Sequence, residues 1–456
     1  MRYLFILLIV TLFIIISSFF ERLEFAQRER YEIVPNRTIS VNLGNLDTAP
    51  CQRSSPQITW PKTALKPAEL ALIVNEEDPQ SVAVAREYQK SRQIPHENVI
   101  HIHLNPHNNT LNPTLFKDIK NQVDSAANSN IQAYALSFSK PFRVGCMSIT
   151  SAFALGYDQD FCQRPTNQKG CRSPKFIPTA WNDTVAPYTT WGIRPTMMLA
   201  GRNTQEVLQL IRRGAAADKT FPKGTIYLVN TRDRDRSVRS GYFIDLIKQW
   251  PPDNGWKIQL IDASKKSRQK DFITDKKDVL FYFTGMAEVP EITSNQYQAG
   301  AIADHLTSFG GDLFGRQQMS ILRWLEAGVT ASYGTVVEPC NFTEKFPNPR
   351  VVVSQLYRGK TLLEAYWSSV ISPQEGLFIG DPLAKPMGIK QRLKRDYLSV
   401  KLSVLKPGQE YQILSAQTAD GPYLPISEKF SISNHEVLQL NLGCNQNYYQ
   451  LTELDS

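Results

Sequence analysis

The sequence predicts an α/β protein: a mostly parallel sheet with helices on both faces, a small C-terminal all-β domain and an N-terminal membrane segment. Three observations carry this. Short continuous apolar runs, such as LALIVN (Leu70–Asn75) and VLFYFT (Val279–Thr284), alternate with helix-type segments, the pattern of strands buried on both faces. After Pro386 the runs become β-type with turns and no helices between them. Before residue 21, Tyr3 to Phe20 is an uncharged apolar stretch of about the length that spans a bilayer.

In chain order, residues 1–20 read as a signal anchor or a signal peptide, because a short basic start precedes the apolar run. Either places the rest of the chain outside the cytoplasm, in the periplasm or cell envelope, membrane-anchored or secreted. Residues 21–66 carry Pro35, Pro50, Pro56 and Pro61 and no sustained periodicity, so they read as a tether or stalk. Residues 67–390 read as the α/β domain. Glu69–Asn75 is a buried strand, and Asp78-Pro79 is an N-cap with proline at the first helical position. A helix over Ser81–Arg92 follows, then a strand over Asn98–Leu104, a helix over Pro113–Ala127 and a strand over Ile131–Phe138. Residues 144–194 break the rhythm and read as a cysteine-rich insertion. Alternation resumes with a helix at Asn203–Ala217, a strand at Gly224–Val229, a helix at Tyr242–Gln249 and strands at Trp256–Ile261 and Val279–Thr284. The segment Ala299–Gly311 couples a strand to a turn of small and polar residues. A helix over Arg316–Ala327, a strand over Val329–Val337, a helix over Val351–Val370 and the strand of GLFIGDPLAKP (Gly376–Pro386) close the domain. Residues 391–456 read as sandwich-like.

At 456 residues the chain exceeds one ordinary core, which agrees with two folded units. The net charge of +8 is mild and reads as a basic solvated surface, the alternative being an acidic partner such as lipid or cell-wall polymer. Zinc spacing, a Walker loop and RNA-binding aromatics are absent, so no nucleic acid and no cofactor is expected. Six cysteines in an exported chain suggest disulfides. Cys162 and Cys171 share one polar loop, Cys146 and Cys340 fall at one sheet edge, and Cys51 with Cys444 remains by elimination.

The run LALIVNEEDPQSVAVAREYQKSRQIPHENVI, the motif GAIADHLTSFGG, the phrase ASYGTVVEPCNF and the closing IGDPLAKP together resemble an uncharacterised family of exported bacterial proteins over residues 65 to 390. More distantly, the order of motifs resembles the caspase-like, flavodoxin-like α/β fold of gingipain-type cysteine peptidases. That resemblance implies a catalytic His after one strand and a catalytic Cys after the next. Carried over, the His turn matches Thr284-Gly285-Met286-Ala287 and the nucleophile turn matches Leu306-Thr307-Ser308-Phe309. Met286 stands at the His position and no cysteine stands at the other. A thioether supplies neither a base nor a nucleophile.

The remaining candidates are Asp304, His305 and Ser308, a carboxylate, an imidazole and a hydroxyl within one short stretch. Against that stands a local network of caps to backbone amides. Glu338 and Asp381 follow further strands and are candidates for acid and base work, with Arg143 and Arg194 as ion-pair partners. Met286, Ser308, Glu338 and Asp381 are all expected at one end of the sheet. His101 and His103 share one strand face, without a local third ligand, so no metal is expected. The run Arg232 to Arg236 reads as a self-neutralised loop or an anion clamp. The reading is an envelope-located binding or scaffold protein on a degenerate peptidase-like fold, its partner an unidentified envelope protein or polymer. The alternative is a hydrolase using the Asp304–Ser308 turn with Glu338 or Asp381.

Overall fold

The structure, a computed structural model, describes residues 38–40, 51, 56–161, 173–177, 184–250, 255–264, 269–433 and 436–454. The expected membrane segment lies outside them. Among the described residues no helix is long and apolar enough to cross a membrane.

The body is a ten-stranded sheet. Its strands are β1 (Leu70–Asn75), β2 (Val99–Ile102), β3 (Ala133–Leu136), β4 (Thr196–Met198), β5 (Gly224–Asn230), β6 (Trp256–Asp262), β7 (Val279–Thr284), β8 (Tyr297–His305), β9 (Ala331–Thr335) and β10 (Gly376–Gly380). They lie in the order β6-β5-β7-β8-β9-β10-β4-β3-β1-β2. Strands β5 to β9 pair parallel with one another, as do β1 to β4. Strand β10 pairs antiparallel with β9, Gly376 opposite Thr335 and Gly380 opposite Ala331. Every residue of β1, β3, β7, β9 and β10 is buried, which is why these segments read as unbroken apolar or small-residue runs.

Nine helices flank the sheet among the described residues: α1 (Pro79–Arg92), α2 (Pro113–Ala126), α3 (Ile149–Leu155), α4 (Pro187–Trp191), α5 (Thr204–Ala217), α6 (Ser240–Gln249), α7 (Leu322–Ala327), α8 (Pro349–Tyr357) and α9 (Leu362–Ser369). Asp78 caps α1 through the Gln80 amide at 2.9 Å, and Asn112 caps α2 through the Thr114 amide at 2.8 Å. Tyr88, Ile211, Phe243 and Trp367 belong to one apolar core, while Phe116, Phe153 and Trp324 belong to a second, so both faces of the sheet are covered. The helix expected over Val351–Val370 is two helices. The chain breaks at Gly359, whose φ is +76°, and restarts at Thr361, which forms a capping box with Glu364.

The C-terminal unit is all-β, built on β11 (Ile389–Leu393), β12 (Tyr397–Leu402), β13 (Glu410–Ala416), β14 (Val437–Gly443) and β15 (Tyr448–Glu453). Two sheets share one core containing Val400, Tyr411, Leu440 and Leu451. The segment expected to be a tether supplies a strand to each sheet. Thr38–Ser40 pairs parallel with β14 and Gln57–Thr59 pairs parallel with β15. A disulfide from Cys51 to Cys444 ties the same two regions, its Cα atoms 5.1 Å apart.

Candidate functional site

Parallel pairing brings the ends of β7, β8 and β9 to one edge. The Leu306 amide donates to the Thr284 carbonyl at 3.0 Å, and the Gly311 amide to the Thr335 carbonyl at 2.8 Å. The turns carrying Met286, Ser308 and Glu338 leave from this edge. Met286 is half-buried against the apolar core. Glu338 is exposed and accepts from the Cys340 amide at 2.8 Å, a local cap.

Asp381 does not join them. Because β10 runs against β9, the residue after Gly380 leaves at the opposite end of that pair. There Asp381 is fully buried and accepts from Tyr88 Oη at 2.9 Å and Arg92 Nε at 3.1 Å. Arg92 Nη1 also holds Asp218 at 2.6 Å. This knot fastens α1 and the end of α5 to the last strand. Arg92, not Arg143 or Arg194, is the partner. Arg143 binds Thr110 Oγ1 at 2.6 Å, and the Arg194 guanidinium lies 3.4 Å from the centre of the Tyr188 ring.

Asp304, His305 and Ser308 form no triad. Successive residues of a strand point to opposite faces, and each of the first two is spent on its own side. Asp304 Oδ1 pairs with Arg239 Nη1 at 2.7 Å, both side chains almost wholly buried. Burial pushes the Asp304 carboxyl up, and Arg239 pulls against that. His305 Nε2 lies 3.0 Å from the Met319 carbonyl, and Nδ1 accepts the Trp324 indole N–H at 3.0 Å. The ring is therefore the Nε2–H tautomer with both nitrogens occupied. Burial pulls its pKa down to about 4, against the hydrogen bond to Met319. Such an imidazole cannot take a proton from Ser308.

The turn after β8 is clamped. Gln318 Oε1 accepts from Thr307 Oγ1 and from the Phe309 amide, each at 2.7 Å, and Thr335 Oγ1 donates to the Ser308 carbonyl at 2.9 Å. Gly311 owes its identity to packing: a Cβ there would lie 2.5 Å from the Gly334 carbonyl oxygen. The segment from Thr231 to Arg239 is seated across the same edge. A Cβ on Gly285 would lie 1.8 Å from the Arg236 carbonyl oxygen, and Thr231 Oγ1 donates to the Gly285 carbonyl at 2.7 Å. Arg236 Nε donates to Thr307 Oγ1 at 2.9 Å while its Nη1 pairs with Asp233 at 2.7 Å. Arg232 pairs with Asp271 at 2.7 Å. The RDRDR run thus has carboxylates for two of its arginines.

Beneath the edge, Lys345 Nζ pairs with Glu375 Oε1 at 2.5 Å, both side chains buried. Burial lowers the Lys345 pKa and Glu375 opposes it. Tyr333 Oη donates to the Lys345 carbonyl at 2.5 Å. Sequence reasoning missed Arg239, Trp324, Lys345 and Glu375. Only Arg239 left a sign, as a further basic residue three positions after the run Arg232 to Arg236.

Elsewhere, His101 on β2 and His103 just beyond its end are exposed, paired through Nδ1 with Glu76 and, at 2.9 Å, with Glu77. Among the described residues no group of three or more metal-type ligands gathers. Cys146 and Cys340 are disulfide-bonded. Cys162 and Cys171 lie outside the described residues, and the connectivity among these four goes undescribed with them.

No family model matches the chain, and no curated protein does. Among solved structures, one described as "Structure of Protease" is similar at TM-score 0.40 and 10% identity, over 86% of this chain and 98% of that one. A complex of the Porphyromonas gingivalis RgpB pro- and mature domains is similar at TM-score 0.37 and 7% identity, over 85% of this chain and 97% of that one.

Proposed function

We propose that this chain is an exported, envelope-located binding or scaffold protein on a caspase-like α/β fold whose peptidase site is degenerate. The single observation that carries the reading is the state of His305. Among the described residues it is the one histidine near the edge at β7 to β9, and both its nitrogens are committed to Trp324 and Met319. Without a free base, neither Ser308 nor a cysteine can be activated there. The disulfide between Cys51 and Cys444 agrees with an oxidising compartment. The uncharged run Tyr3–Phe20 agrees with membrane delivery.

The test has two parts. Fluorophosphonate and thiol-reactive peptidase probes, followed by peptide mapping, should label neither Ser308 nor any cysteine in an active-site-directed manner. Specific labelling that a substrate analogue suppresses would overturn the degenerate-site reading. Fractionation of expressing cells should place the chain with membranes, its C-terminus shielded from cytoplasmic protease. Recovery in the cytoplasm would overturn the location.

A further inference from the structure

Where the C-terminal β unit meets the α/β body, an open cleft of about 550 Å³ is lined by Ile58, Trp60, Lys219, Lys385, Ile389 and Lys390. Its size falls within the range of small-molecule sites. It is separate from the edge carrying Met286 and Ser308, and nothing in the reading above depends on it.

The cleft gathers positive charge without internal neutralisation. Lys390 lies directly opposite Lys401 on the antiparallel pair β11–β12, where like charges are destabilising. The carboxylates that act on Lys385 are already occupied. Asp218 holds Arg92 at 2.6 Å and accepts from the Lys385 backbone amide at 2.8 Å. Glu364 accepts from the Leu65 amide at 3.1 Å and the Thr361 amide at 2.9 Å. Lys219, Lys385 and Lys390 make no ion pair among the described residues. Burial lowers the Lys385 pKa; Glu364 and Asp218 oppose this, while Lys219 and Lys66 add to it. Burial, then Lys390 and Lys223, do the same to Lys401. An anion in the cleft would offset the repulsion among these lysines.

The wall is also preorganised. Lys219 and Phe221 both hold left-handed backbone, φ 56° and 53°, which non-glycine residues adopt at a cost. Their amides donate to the Lys385 and Pro386 carbonyls at 2.9 and 3.0 Å, so the two segments are fixed side by side. Lys401 sits 4.8 Å from the centre of the Phe221 ring.

We propose that this cleft binds a phosphate ester carrying a ring or alkyl portion, its phosphate held by Lys219, Lys385 and Lys390 and its apolar part against Trp60. Lysines recognise phosphate as point charges, and three of them line this cleft. Trp60, Ile58 and Ile389 supply the apolar side and pack on the β core beneath.

The test is calorimetric titration of the full chain with inorganic phosphate, phenyl phosphate, and vesicles of phosphatidylcholine with and without phosphatidylglycerol. Phenyl phosphate should bind at least about tenfold more tightly than inorganic phosphate, and Lys385→Gln or Lys390→Gln should each weaken it about tenfold, equivalent to about 1.4 kcal/mol. Trp60→Leu should abolish the preference for the phenyl ester while retaining phosphate binding. Lys117→Gln, an exposed lysine on α2, should change nothing. Lysine-dependent binding to phosphatidylglycerol vesicles assigns the phosphate to a lipid headgroup, and lysine-dependent binding of the soluble ester alone assigns it to a soluble ligand. Absence of binding in both arms, or equal losses in Lys117→Gln, would overturn the proposal.

Discussion

Trp324 donates its indole N–H to Nδ1 of His305 across 3.0 Å, and this bond settles what the histidine is. With Nε2 turned to the Met319 carbonyl, the ring is a fastener between β8 and α7. Replacing Trp324 by Phe leaves a buried acceptor unpaired, at a cost of about 1–3 kcal/mol. Denaturant unfolding should show that loss.

His305 also fixes a pH dependence. Its folded pKa is about 4, below the ordinary 6.5, so the native state disfavours the charged ring. The stability it confers is complete above about pH 6.5 and falls as the pH drops towards 4, because only the unfolded chain takes up the proton in that window. His305→Gln, measured by urea unfolding at a series of pH values, should flatten the stability profile there. An unchanged slope would refute the assignment.

The buried pair Arg239–Asp304 predicts an asymmetric response. Asp304→Leu alone strands a buried guanidinium and should cost about 3–5 kcal/mol, whereas Arg239→Met with Asp304→Leu should recover most of it. Midpoints of chemical unfolding for the two variants check this. Equal losses would mean that other contacts of Arg239, such as its 2.8 Å bond to the Thr284 carbonyl, dominate.

Gly285→Ala should lift the segment from Thr231 to Arg239 off the edge, since a Cβ cannot occupy a position 1.8 Å from the Arg236 carbonyl oxygen. The readout is limited tryptic digestion, with faster cleavage after Arg232, Arg234 or Arg236 than in the unaltered protein. Unchanged digestion would show that the turn yields instead.

Non-reducing peptide mapping should recover Cys51 and Cys444 in one linked fragment and no free thiol at Cys146 or Cys340. Cys444→Ser should destabilise the C-terminal unit by about 2–5 kcal/mol, the usual range for a native bridge.

What the sequence made legible was what local pattern encodes. LALIVN and VLFYFT read as buried strands because parallel strands covered on both faces leave no polar alternation. Asp78-Pro79 read as a helix start because a cap and a fixed φ are local properties. The break between α8 and α9 was written in Gly359 and in the spacing of Thr361 and Glu364, but the apolar run across them concealed it. The direction of β10 was not legible, since a strand's pattern reads the same both ways, and Asp381 went astray with it. Nor did adjacency of Asp304, His305 and Ser308 reveal their partners. Arg239 and Trp324 lie 65 and 19 residues from those they hold, as the numbering shows.

The pairing of Thr38–Ser40 with β14, and the bridge between Cys51 and Cys444 across 393 residues, have a consequence for biogenesis. Among the described residues, the first strands to leave the ribosome belong to the module whose other strands are made last. The ten-stranded body can assemble while synthesis continues, but the β module waits, its early strands unpaired, until β14 and β15 emerge. Its closure and the sealing of that bridge are therefore late events in maturation, and the lysine-lined cleft where the two units meet comes into being only then.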